Sequence, residues 1–369
     1  MKALLFRANN IFASRCAKYI NYFQKSNIDF LAVGWDRNNS SVKRDNYDFY
    51  RYKAGVAVGG IKAVLNHLHW MFFVYRYIKQ HPNVNFVHAC DLNSAFPVAF
   101  FRYFHKRKDI ILIFDVCDWF SANFSKFQFL RFAFHLMERF TVNQASCVIV
   151  CESERVEQIQ FKFNTPLLVL PNIPEIDESL LFHDDEKFKF DNGWPVFAYF
   201  GGFSEDRFLL ELIQLAKTER VNILIGGFGS KIIEDACSRL NDLPNFRYFG
   251  KLSLVEGLSM SSYADVIYAM YCKSNPNHIY AAPNKYYEAM FLGKPILSTK
   301  GIILEKKIIE NNIGYVIEED IDCLRIFIRD FNIVDSQIKG RRSRLLWDKE
   351  YSSYVKHFFE NEYTDVINN

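Results

Sequence analysis

The chain has no Cys-x-x-Cys pair, although it carries eight cysteines in 369 residues, at 16, 90, 117, 147, 151, 237, 272 and 323. Thiols scattered in this way, several inside apolar strand-like runs, argue against a zinc ribbon or a disulfide framework and read as reduced thiols of a cytoplasmic protein. No apolar run approaches the roughly 18 residues needed to cross a bilayer. The opening MKALLFRANN enters a strand directly, so no signal peptide is expected. Also missing is a G-x-G-x-x-G after that strand, where Arg7-Ala8-Asn9-Asn10 stands instead, and a dinucleotide in the first half is not expected. The nine histidines show no H-x-x-x-H spacing on a convincing helix, and His67 and His69 fall on different helix faces. The D-x-D at Asp320 to Asp322 opens a helix, where capping explains it. No metal is expected.

What is present is an ordinary globular balance, half apolar and 24% charged, with a heavy aromatic content that includes 37 Phe. The length exceeds one compact core, so two domains of similar size are expected. The net charge of +3 hides an asymmetry: residues 1–170 hold 22 Lys/Arg against 12 Asp/Glu, and the remainder 23 against 30. A basic first half suggests an anionic partner there. Three aromatic and basic stretches, 67–79, 100–108 and 124–140, have the mixture suited to a membrane interface.

Along the chain, short apolar runs alternate with helical periodicity. Strands are expected at KALLF, DFLAV, NFVHA, DIILIFD, SCVIVC and PLLVL. Helices are expected at 11–24, 61–79, 92–104, 127–142 and from Glu154. Buried strands separated by helices imply a parallel sheet covered on both faces, with ligands outside the carboxyl ends of the strands. Those ends present His88-Ala89-Cys90-Asp91 and Asp115-Val116-Cys117-Asp118, and Asp118 is a candidate to take a proton from, or orient, an acceptor hydroxyl. Gly55, Gly59 and Gly60 precede a helix, where a flexible loop in which acceptor and donor meet and an ordinary turn account for them equally.

Residues 170–195, rich in Pro, Asp and Glu, read as a linker. Beyond it VFAYF runs into Gly201-Gly202-Phe203-Ser204, and Arg207 is expected in the first turn of the helix that follows. Glycines between strand and helix let backbone approach a phosphate. VNILIGGFGSKI repeats the pattern with Gly227 and Gly229, and Ser274 and Asn275 end a later strand on the same edge. In PNHIYAAPNKYYEAMFLGKPILSTK (276–300), Pro283 suits a first helical turn and Gly293 closes the helix. Asn284 and Lys285 then stand at a helix start able to receive a diphosphate, and Glu288, one turn on, can accept hydrogen bonds from a pair of sugar hydroxyls.

PNKYYEAMFLGKPIL resembles the donor-site segment of glycosyltransferase family 4, and Pro171-Asn172, Arg207 and LLWDKEYSSYVKHFFENEY resemble that family's crossing point, diphosphate clamp and closing helix. The resemblance implies an α/β GT-B fold: two facing Rossmann-like domains with parallel sheets and a C-terminal helix crossing back to the first. It implies an acceptor-binding domain at 1–172, a linker at 173–194, a nucleotide-sugar domain at 195–345 and the closing helix at 346–369. Family 4 places a second glutamate where this chain has Tyr280, a basic residue at Gly202 and a histidine at Cys117. The implied activity is transfer of a sugar from a nucleotide-diphosphate sugar to a glycan or lipid-linked hydroxyl, with retention, in surface polysaccharide synthesis. No cofactor beyond that co-substrate is implied. Asp118, Arg207 and Lys285 are the catalytic candidates. Gly201, Gly202, Arg207, Gly227, Gly229, Ser274, Tyr280, Asn284, Lys285 and Glu288 are the donor-binding candidates. Peripheral membrane contact is expected through the first domain, and no nucleic acid partner. A nucleotide-sugar epimerase and a non-catalytic nucleotide-sugar-binding subunit are the alternatives.

Overall fold

The computed structural model describes residues 2–36, 44–52, 60–124, 127–159, 161–182 and 185–368. Gly55 and Gly59 lie outside them. The chain divides into two compact units, one of residues 1–171 with 355–369 and one of residues 172–354.

The first unit is a seven-stranded, all-parallel sheet. In chain order its strands are β1 (Lys2–Arg7), β2 (Asp29–Trp35), β3 (Tyr47–Tyr50), β4 (Phe86–Cys90), β5 (Ile111–Val116), β6 (Cys147–Val150) and β7 (Leu167–Val169), arranged β3-β2-β1-β4-β5-β6-β7. The central strands are apolar runs buried along almost their whole length, as a sheet covered on both faces requires. Crossover helices α1 (Ser14–Lys25), α2 (Gly60–Gln80), α3 (Leu92–Phe104) and α4 (Gln128–Gln144) connect them. Two features differ from the sequence reading. The helix expected from Glu154 is only a short 3-10 turn, Ser153–Val156, and the half-exposed edge strand β3 was not anticipated.

A charged knot lies under this sheet. Arg15 donates from Nε to both oxygens of Asp115, at 3.0 and 2.8 Å, and from Nη1 to the Leu170 carbonyl at 2.8 Å. His88 stands 3.4 Å from Asp115 and bonds Tyr363 at 2.9 Å. Tyr363 belongs to the closing segment, which also stacks Phe359 on Tyr22. His88, Cys90 and Asp115 have the spacing of metal ligands. Arg15 already grips both Asp115 oxygens, and a cation there would sit against a buried guanidinium, so the trio reads as a structural knot.

The second unit is a six-stranded parallel sheet in the order β10-β9-β8-β11-β12-β13. Its strands are β8 (Val196–Phe203), β9 (Asn222–Gly229), β10 (Phe246–Tyr248), β11 (Val266–Ala269), β12 (Ile296–Thr299) and β13 (Gly314–Ile317). Helices α5 (Leu209–Leu215), α6 (Lys231–Leu240), α7 (Leu254–Ser262), α8 (Pro276–Ile279), α9 (Asn284–Phe291), α10 (Ile303–Asn311), α11 (Ile321–Arg329) and α12 (Ile333–Leu346) complete it. The stretch read as a linker packs here through Phe188, whose ring meets Phe249 and Tyr263. Asp320 accepts from the N–H groups of Asp322 and Cys323, so the D-x-D is a helix cap. The strand order reverses between β8 and β11. In open α/β sheets that reversal opens a crevice at the carboxyl edge.

Candidate functional site

At that reversal β8 ends in Gly201-Gly202-Phe203 and pairs with the glycine run of β9, Gly201 opposite Gly227. Gly201 has φ +148° and Gly227 φ +157°, and a Cβ on Gly227 would lie 2.0 Å from the Gly201 carbonyl oxygen. Only glycine allows the strand ends to approach so closely. A Cβ on Gly201 would stand 2.7 Å from Lys285 Nζ, whereas Gly202 faces open space. The backbone is thus stripped of side chains where the Lys285 ammonium rests.

Lys285 is in the first turn of α9, whose cap residue, Pro283, gives no side-chain acceptor to the N–H groups that follow. Its Nζ sits 4.3 Å above the ring of Tyr199. Arg207 lies 4.3 Å over the ring of Tyr271, and its buried Nε has no hydrogen-bond partner among the described residues. Each cation is held by an aromatic face, which leaves its donors for a ligand. Burial lowers the Lys285 ammonium to about 8, with Arg207 adding to the fall and Glu288 opposing it. Glu288 is 8% exposed, and burial pushes its carboxyl up while Lys285 pulls it down. Two cations and one carboxylate, all partly stripped of water, form a site with high charge-stabilising capacity.

Arg207 occupies the short 3-10 turn Glu205–Arg207, not the first turn of a helix as the sequence suggested. Phe208 follows in the left-handed region, φ +54°, and separates that turn from α5. The turn is pinned through its neighbour. Asp206 accepts from Asn275 Nδ2 at 3.0 Å and from Ser204 Oγ, its carbonyl accepts from Cys272 N–H at 2.9 Å, and His278 Nε2 stands 3.4 Å from its carboxylate. Burial raises the Asp206 carboxyl, but these bonds and the adjacent cations outweigh it, and the group stays ionised more readily than usual.

Gly201, Gly202, Arg207, Gly227, Asn284, Lys285 and Glu288 therefore lie in one neighbourhood. Gly229 is the exposed last residue of β9, Ser274 stands in an exposed turn beyond β11 and not at a strand end as expected, and Tyr280 follows α8 as its C-cap. Asp118 belongs to the other unit, where it is 56% exposed and accepts from Arg155 Nη1 at 2.9 Å. Sequence reasoning missed Tyr199, Tyr271, Asp206 and His278. Tyr199 lies within β8, Tyr271 just beyond β11, Asp206 in the 3-10 turn and His278 in α8, and no local pattern marked them.

No family model matches the chain, and no curated protein matches it in sequence. Solved structures do match in shape. The sucrose-phosphate synthase of Thermosynechococcus elongatus superposes with a TM-score of 0.76 at 13% identity, covering 100% of both chains. WaaG, a glycosyltransferase involved in lipopolysaccharide biosynthesis, superposes at 0.65 with 12% identity over 98% of this chain and 99% of its own. The putative UDP-N-acetylglucosamine 2-epimerase of Listeria monocytogenes gives 0.61 at 10% identity, over 93% and 90%. Two Rossmann-like parallel sheets and a closing segment returned to the first of them give this chain the α/β fold of the GT-B glycosyltransferases.

Proposed function

We propose that the chain is a glycosyltransferase that moves a sugar from a nucleoside-diphosphate sugar to a hydroxyl of a glycan or lipid-linked acceptor, with retention, in surface polysaccharide synthesis. The observation that carries this reading is the pair of aromatic-backed cations, Arg207 and Lys285, set beside side-chain-free backbone at the mouth of α9. Breaking the glycosidic bond loads negative charge onto the departing diphosphate. Fixed cations and the N–H groups of Asn284 and Lys285 meet that charge without reorganising. Glu288, one turn along α9, is placed to accept from the ribose hydroxyls. The nucleotide class is tested by thermal shift with UDP, GDP and their sugars, where a ligand raises apparent stability according to its affinity. A flat response to all of them would contradict the proposal. The likeness to a putative epimerase supports a second reading, separated by NMR of UDP-N-acetylglucosamine incubated with the protein alone. An epimerised product would favour that reading.

The lowered Lys285 ammonium gives a pH signature. A diphosphate favours its protonated form, so binding takes up a proton once the free group has begun to lose one. UDP affinity should hold below pH 8 and fall by up to about tenfold per unit above it. Titration calorimetry in buffers of different ionisation heat reads both effects; an affinity constant from pH 7 to 10 would contradict the assignment.

The same proposal places the first unit at an anionic membrane surface. Of the three aromatic stretches, Trp70, Tyr77, Phe101 and Phe134 are core. Phe72 on α2, Phe104 on α3 and Phe127, Phe129 and Phe132 at α4 are exposed, Phe129 by 80%. Lys106, Lys108 and Arg131 lie in the same stretches, a mixture of rings and cations suited to headgroups. Phe129→Ser with Phe132→Ser should weaken sedimentation with phosphatidylglycerol vesicles about tenfold or more. Equal sedimentation of variant and native protein would contradict it. No helix among the described residues is long and apolar enough to cross a membrane.

A further inference from the structure

The first sheet has its own reversal of strand order, between β1 and β4. We propose that Arg7 and Asp91, at the carboxyl ends of those two strands, form a subsite for the hydroxyls of a neutral pyranoside acceptor, with Asp91 accepting the hydrogen bond that orients the attacking hydroxyl. This rests on the transferase reading above and assigns to Asp91 the role that chain order suggested for Asp118.

Arg7 is paired in register with Cys90, so Asp91 is the next residue beyond the ladder. Asp91 precedes α3 and would ordinarily cap it, yet its side chain makes no cap bond. Its backbone sits at φ +64°, ψ 162°, a region costly for a residue with a Cβ. In that conformation Oδ1 accepts from the Cys117 N–H at 3.1 Å, and Oδ2 takes no hydrogen bond among the described residues. Arg7 is close enough to act on its charge; among the described residues its Nη1 reaches only the Cys16 thiol, at 3.5 Å, and its buried Nε meets no acceptor. The unengaged Asp91 oxygen beside the Arg7 guanidinium offers the paired acceptor and donor that a sugar diol matches. Burial lifts the Asp91 carboxyl to about 6, against the pull of Arg7, so it remains an ionised acceptor at neutral pH. Asp118 lies beyond β5, one strand removed from the reversal, and one of its oxygens is already taken by Arg155.

The test titrates the full chain, with UDP present, against the methyl glycosides of glucose, galactose, mannose and N-acetylglucosamine, followed by saturation-transfer NMR. The native protein should bind at least one of them at millimolar concentration. Asp91→Asn and Arg7→Gln should each weaken that binding about tenfold or more, and Asp118→Asn should leave it within about twofold. Asp91→Asn keeps an oxygen for the Cys117 N–H, and unchanged melting temperature and UDP affinity in all three variants separate acceptor binding from folding. If Asp91→Asn fails to fold, Arg7→Gln decides. Absence of binding by any of the four glycosides, or loss in Asp118→Asn with none in the other two, overturns the proposal. Lost UDP binding by the native protein would instead contradict the donor site and leave the glycoside result standing.

Discussion

Replacing Arg207 with alanine should slow nucleotide release from the cognate nucleotide sugar about 100- to 1000-fold, the effect of removing one preorganised donor from a developing anion. The expectation follows from how Arg207 is held. Its guanidinium lies on Tyr271, its Nε has no partner among the described residues, and its turn is fixed by the bonds that Asp206 makes to Asn275 and Cys272. No hydrogen bond or ion pair to the guanidinium is formed among the described residues, so its loss should fall on turnover far more than on melting temperature. Arg207→Lys should fall between the two, because an ammonium keeps the charge but neither the planar stack nor the fork of donors. Lys285→Ala should show a loss of similar size, and the double variant less than the product of the two, since both cations serve one leaving group. Full turnover in Arg207→Ala, measured with a coupled nucleotide assay, would remove the residue from the site.

Asp115→Ala should destabilise the first unit by about 3 to 5 kcal/mol, because it strands a buried guanidinium. Arg15 is 5% exposed and donates to Asp115 from both Nε and Nη2, with Nη1 on the Leu170 carbonyl. Burial raises the Asp115 carboxyl, but Arg15 and His88 more than reverse that and hold it well below the usual carboxylate range. A carboxyl lowered in the folded state adds stability at neutral pH that disappears as pH falls below about 4. Exchanging both partners for apolar residues, as in Arg15→Met with Asp115→Leu, should recover most of the loss. Urea unfolding of the two variants measures this directly; equal stability of Asp115→Ala and the native protein would show that the knot contributes little.

The parts legible in the sequence are those set by local pattern. Ile111–Val116 and Cys147–Val150 are short apolar runs that a doubly covered sheet demands, and the helix over 92–104 has the bounds expected of it. Asn284, Lys285 and Glu288 were legible because proline, polar helix start and glycine stop punctuate one short stretch. Tyr199 and Tyr271 were not, since an aromatic within or just beyond a strand has the same pattern whether it fills a core or carries a cation. The placement of Arg207 depends on the left-handed backbone of Phe208, which no propensity signals. The unusual setting of Asp91 was equally hidden: an aspartate before a helix reads as a cap, and only the backbone angles show its carboxylate turned to Cys117 instead.

A crystal structure of the protein with UDP tests the central claim most directly. The account predicts the diphosphate within hydrogen-bond distance of Arg207, of Lys285 Nζ and of the first N–H groups of α9, passing over Gly201 and Gly202, with the ribose hydroxyls on Glu288. A nucleotide bound elsewhere on the second unit, or seated here with its ribose turned away from Glu288, would contradict it.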